Sequence, residues 1–145
     1  MGQSLVRQSL QLSTQGIMTL LQAAILSAET MGVPQCISIV DAGGNVLATF
    51  RMDGAQSLSH TLATQKAITA ASTRQPTGGL RPEVELKLAI ATSGHLVNLR
   101  GGVPIIIHNQ ILGAIGVSSG SGDQDVAVAE AAIAALQAAI HDCTS

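Results

Sequence analysis

Aromatic side chains are almost missing from this chain of 145 residues: it has no Trp, no Tyr and one Phe, Phe50. Nucleic-acid binders stack bases on aromatic rings and neutralise phosphates with clustered Lys and Arg. Here seven basic residues are scattered along a chain of net charge −2, so nucleic acid is not an expected partner. Charge of either sign is scarce as well. Asp, Glu, Lys and Arg make up 11% of the chain, against about 25% in ordinary globular proteins. A lone globule needs a solvated skin. Either Ser, Thr, Gln and Gly supply it, or further copies of the chain cover part of the surface. The second is the expectation, a homo-oligomer.

Only two cysteines occur, Cys36 and Cys143, with no CxxC and no Cys–His pair in sequence, so a metal or catalytic role is not indicated. The opening MGQSLVRQSLQL lacks the apolar stretch of a signal peptide. Val6 stands where a myristoylation pattern calls for Ser or Thr. No uninterrupted apolar run approaches roughly 18 residues, so no membrane span is expected. The chain is expected to be cytoplasmic, with reduced thiols. The four histidines, His60, His95, His108 and His141, form no HxH or HExxH spacing, and no GxSxG elbow is present. A structural zinc site and a serine triad are therefore not expected.

What the chain has instead is Val, Ile, Leu and Ala, with hydrophobic residues at 46%. Val6, Leu10 and Leu12 hint at a short edge strand. Ser13 offers a helix N-cap, and Ile17, Leu20, Leu21, Ala24, Ile25 and Ala28 follow at helical spacing until Gly32 and Pro34 stop it. Two short apolar runs, 36–40 and 46–50, flank Asp41-Ala42-Gly43-Gly44-Asn45 and predict a hairpin. A second helix is predicted over about 57–72, an irregular loop over 73–82, and a short helix over about 83–90. A second hairpin has arms 105–107 and 111–117 joined at His108-Asn109-Gln110. Ser118 to Gly122 is a small-residue turn, and Asp123 is expected to cap a last helix running to about Ile140. Hairpins interspersed with helices predict an α+β domain over 1–145, an antiparallel sheet flanked by helices.

Three segments can carry chemistry. The turn Ser118-Ser119-Gly120-Ser121-Gly122-Asp123 opens a helix, where unpaired N–H groups and the helix dipole favour an anion. A tight turn with an Asp cap is the plainer explanation. Arg51-Met52-Asp53 follows a strand; Arg51 can clamp a carboxylate or form a surface ion pair of little consequence. Lys66 is the one cation on the second helix. It can act as a base or Schiff-base nucleophile if buried, or simply reach to water.

These segments also carry a resemblance. VPQCISIVDAGGNVLATFRMDGA at 33–55, Lys66-Ala67 with Thr69-Ala70, Pro76-Thr77, GGVPI at 101–105 and LGAIGVSSGSGDQDVAVAEAA at 112–132 are similar, in order, to the GlcG/HbpS/PduO C-terminal-domain family. The resemblance covers about 12–140. It implies a profilin-like fold, assembly through dimers into rings or octamers, and binding of small ligands, haem among them. It also implies a setting beside glycolate use or cobalamin-dependent diol and glycerol use. Some relatives ligate haem through a histidine of the first long helix, and residues 13–31 here contain none. On this basis the expected pocket lies between subunits, lined by Arg51, Met52, Asp53, Lys66, Gly101, Gly102, Gly120 and Asp123. Its ligand would be haem, a corrinoid or a small carboxylate. Two alternatives stand beside this accessory-protein reading. One is an enzyme using Lys66 or Asp53 for acid–base work. The other is an assembly factor for a larger metabolic enzyme.

Overall fold

The computed structural model describes residues 4–144. Helix α1 (Thr14–Met31) starts where expected: the Ser13 hydroxyl accepts a hydrogen bond from the Gly16 N–H at 3.1 Å. It ends at Gly32, whose φ of 74° is the left-handed conformation glycine adopts without cost. Leu20, Ala24 and Ala28 form its buried stripe. Strands β1 (Cys36–Asp41) and β2 (Val46–Arg51) form the first hairpin. The Asp41 carboxylate closes its loop by accepting the Gly43 and Asn45 N–H groups, each at 2.9 Å. Helices α2 (Leu58–Thr73) and α3 (Pro82–Ala91) follow, then strands β3 (Gly102–Ile107) and β4 (Gln110–Ser118), and helix α4 (Gly122–Thr144). The β3–β4 turn is two residues long. His108 and Asn109 both have positive φ, 51° and 61°, as a tight hairpin turn needs.

The four strands form one antiparallel sheet in the order β2-β1-β4-β3. Helix α2 lies on one face, while α1 and α4 pack together on the other. The alternation of β1 shows the two layers. Ile37 and Ile39 enter the larger core with Leu20, Val128 and Leu136 of the helices. Val40 joins Ala67, Ala70 and Ala114 on the α2 side. The α2 layer is thin because its inner residues are alanines and because β4 has Gly116 beneath it. A Cβ at Gly116 would run into the Ala63 carbonyl, so helix and sheet meet backbone to backbone. Helix α3 touches no other helix or strand at backbone range and has no fully buried residue.

One expectation needs correction here. Residues 6–12 form no strand; the Leu10 N–H instead donates to the side-chain oxygen of Gln110 at 2.9 Å. The segment crosses the sheet's periphery without a partner strand, so apolar alternation found no ladder to join. In addition, α4 is long and apolar enough, by length and composition, to cross a membrane. No uninterrupted run showed this because Asp123, Asp125 and Glu130 divide the helix. In the fold it packs against α1, β3 and β4 with Val128, Ala129, Ala132 and Leu136 buried.

Candidate functional site

The centre of the site is a buried ion pair that spans the sheet. Lys66 leaves the α2 layer and its Nζ donates to Asp125 Oδ2 at 2.9 Å and to the Val117 carbonyl at 2.9 Å. Asp125 belongs to the first turns of α4, on the other face. The side chains are 4% and 3% exposed. The path between the layers exists because Gly101 has no side chain. A Cβ there would lie 2.9 Å from Lys66 Nζ and 2.9 Å from Asp125 Cβ, and the residue has φ of 128°. The second carboxylate oxygen of Asp125 accepts the Gly120 N–H at 3.0 Å. Every strong group in the pair thus has a partner, as burial requires.

Thr77 ties the irregular loop to this centre. Its hydroxyl oxygen accepts from the Gly102 N–H at 2.9 Å, and its own N–H donates to the Gly102 carbonyl at 3.0 Å. A Cβ at Gly102 would lie 2.7 Å from the Thr77 methyl. Gln35 closes the other side. It is fully buried, and a Cβ at Gly120 would sit 2.7 Å from its Nε2. Its side-chain amide has no hydrogen-bond partner among the described residues.

Arg51, Met52 and Asp53 reach the same end of the sheet from its opposite edge. Arg51 pairs in register with Cys36, and Cys36 with Ser118. Met52 is half-buried; its N–H donates to the Gln35 carbonyl at 3.0 Å, and its sulfur accepts the Gln35 N–H at 3.4 Å. Arg51 and Asp53 are exposed and form no ion pair among the described residues. Burial pushes the Cys36 thiol above its ordinary pKa, and the Arg51 guanidinium offsets part of that rise. The structure therefore brings Lys66, Gly101, Gly102 and Gly120 together around Asp125, and holds Arg51 and Asp53 apart from them in solvent.

Asp123 is not the cap of α4. Ser121 takes that role: its hydroxyl accepts from the Gln124 N–H at 3.2 Å, and the Gln124 side chain accepts from the Ser121 N–H at 2.9 Å. This is the reciprocal capping box of Ser-x-x-Gln. Asp123 lies two residues past the cap, already inside the helix, and instead pairs at the surface with Arg100. Lys66, rather than reaching to water, is buried and paired with Asp125. The sequence marked both residues as unusual on their helices, but not as a pair. Lys66 is the one cation of α2, and Asp125 is one of few acids on a nearly apolar helix.

The four histidines are all exposed, and His95 holds its Nδ1 2.8 Å from the Thr92 carbonyl. Among the described residues no three His, Cys, Asp or Glu side chains gather where they could hold a metal ion. The described hollows are about 270–330 Å3 each. Haem needs a slot towards the upper part of the roughly 300–1,000 Å3 range of ligand pockets. None of these five hollows reaches that size.

Comparison with known proteins places this geometry. The chain is 37% identical over 138 residues to the corrinoid adenosyltransferase PduO of Citrobacter freundii, a match covering 92% of this chain and 41% of that protein. The chain thus spans about two fifths of that relative's length. Among solved structures, the PduOC:haem complex superimposes with a TM-score of 0.81 at 34% identity, covering 87% of this chain and 95% of the other. HbpS superimposes with a TM-score of 0.79 at 32% identity, covering 90% and 93%. The family described as "Haem degrading protein HbpS-like" matches residues 12–134, and this chain belongs to the HbpS-like family.

Proposed function

We propose that this chain is a ligand-binding accessory protein that works as an assembly of identical copies and takes haem where copies meet. The observation that carries this reading is the likeness to the PduOC:haem complex over nearly the whole chain. The hollows described above are smaller than a macrocycle needs, which favours a haem seated on a surface that a second copy completes. Exposed Leu58, Leu86 and Ile90, at 81%, 68% and 71% exposure, supply apolar surface for such contacts. His60, two residues after Leu58, and His95, after α3, are open to an iron from outside. Bound haem would supply iron redox and ligand-binding chemistry. A corrinoid is the second ligand to test, given the relative PduO.

The accessory reading is favoured over an acid–base enzyme by the state of Lys66. Its ammonium is enclosed and committed to Asp125 and Val117, so it holds the fold together and is closed to substrate. Cys36 and Cys143 are both unpaired, which supports a reducing, cytoplasmic setting. Haemin titration followed by the Soret band tests the function, and light scattering tests the assembly. A saturable red-shifted Soret band and a mass above one chain are expected. Free-haemin spectra throughout, or the mass of a single chain, would overturn the reading.

A further inference from the structure

A hollow of about 280 Å3 adjoins the buried ion pair and shares Thr77 with it. Thr73, Gln75, Thr77, Gly78, Leu80 and Val97 contribute to its wall. None of the expected site residues lines it. Its mouth is set by the base of the α3 excursion, where the Asn98 side chain accepts the Leu80 N–H at 2.9 Å and donates to the Leu80 carbonyl at 3.0 Å. The excursion leaves at Leu80 and returns at Val97, so this clamp fixes two opposite parts of the wall.

The polar groups that the fold leaves unused here are of one kind. The Thr69 hydroxyl is consumed, donating to the His95 carbonyl and accepting the Val97 N–H, both at 3.1 Å. Thr73 donates to the Thr69 carbonyl at 3.0 Å. The Thr77 oxygen already accepts from Gly102, which leaves its hydroxyl proton without an acceptor among the described residues. The Gly78 N–H has no partner among the described residues either, nor has the side-chain amide of Gln75. No Asp or Glu lines the hollow. Arg74 precedes Gln75 in the chain, and Arg100 packs against Gly78 so closely that a Cβ there would lie 2.5 Å from Arg100 Cγ. Arg100 is already paired with Asp123, so the unused donors and the absence of a carboxylate are what make a setting for an acceptor oxygen bearing negative charge. Leu80, Val97 and the threonine methyls suit a short carbon chain beside it.

We propose that this hollow binds a short-chain carboxylate, its oxygens on the Gly78 N–H and the Thr77 hydroxyl and its carbon chain against Val97 and Leu80. The volume sits just below the range of drug-sized pockets, which limits the ligand to a few carbons. Glycine at 78 is part of the site. Its φ of 96° directs the chain past Arg100, and a side chain there would collide with Arg100. The hollow shares no lining residue with the surface assigned to haem, and carboxylate binding is read without haem present, so the two readings fail or stand independently.

Amide spectra of the isotopically labelled full chain test this, titrated with propionate, lactate and pyruvate and with propanol as the neutral control. Saturable shifts of the Thr77 and Gly78 amides with the carboxylates, and none with propanol, are expected. Val97→Phe fills the hollow and should weaken carboxylate binding at least about tenfold, while haemin titration stays as in the natural chain. Gln75→Leu removes one exposed donor without touching the core and should weaken binding a few-fold; it carries the test if Val97→Phe loses its native spectrum. Carboxylates that leave Thr77 and Gly78 unmoved, shifts reproduced by propanol, or variants that bind as tightly as the natural chain would each overturn the proposal.

Discussion

Removing Lys66 should cost far more than removing an ordinary surface lysine. At 2.9 Å and an effective dielectric near 20, the attraction between Lys66 and Asp125 is about 6 kcal/mol. Desolvating the two ions costs several kcal/mol each, so the pair is near break-even against a well-packed apolar replacement. The asymmetry lies in the single variants. Lys66→Met leaves the Asp125 carboxylate buried with only the Gly120 N–H to hold it, and the expected loss is about 3–5 kcal/mol. That is a large share of the roughly 5–15 kcal/mol that keeps a domain folded. Asp125→Leu strands the ammonium with only the Val117 carbonyl and should cost a similar amount. The double variant removes both charges. It should regain most of the loss, short by about 1 kcal/mol for the Gly120 donor left without its acceptor. Urea unfolding followed by circular dichroism at one fixed protein concentration measures all four corners of the cycle, the concentration being held because assembly adds to stability. Single variants each costing under about 1 kcal/mol, or costs that simply add in the double variant, would show that the pair does not hold the two layers together.

Other outcomes follow from the same geometry. Ser121→Ala should lower stability by about 1 kcal/mol through loss of the α4 cap, while Asp123→Ala, at an exposed ion pair, should change it little; thermal melts that rank them the other way refute the capping box. One thiol per native chain should react promptly with a disulfide reagent, since Cys143 is exposed whereas Cys36 is buried with a raised pKa; both should react after denaturation. Asp41 has its carboxyl pKa lowered, chiefly by the Asn45 N–H, against a smaller opposing effect of burial. A depressed native pKa means that its stabilisation is complete above the ordinary carboxylate value and is lost as pH falls through the lower native one. Asp41→Asn should therefore flatten part of the acid limb of the stability curve, and an unchanged limb would count against the loop assignment.

The local elements were legible because their causes are local. Ser13, the apolar spacing through Ala28 and Gly32 bound α1 to within a residue, and the paired glycines at 43–44 mark the first hairpin. The family was legible too, since its motifs run in order along the chain. The cap of α4 was misread within three residues. Ser, Gly and Asp all occur there, and only the path of the backbone decides which oxygen faces the free N–H groups. The edge strand expected over 6–12 failed for a different reason: a strand is defined by its neighbour, and none was there to pair with it. The partner of Lys66 lies 59 residues away, on a helix that belongs to the opposite face of the sheet. A pattern of residue types cannot carry that distance. It took the glycine at 101 and the close seat of α2 on Gly116 to let a lysine cross from one layer to the other. The hollow beside Thr77 is tertiary in the same sense. It exists because a loop from α2, the return from α3 and the start of β3 converge, and its unused donors emerge only once every other hydrogen bond of that loop has found its place.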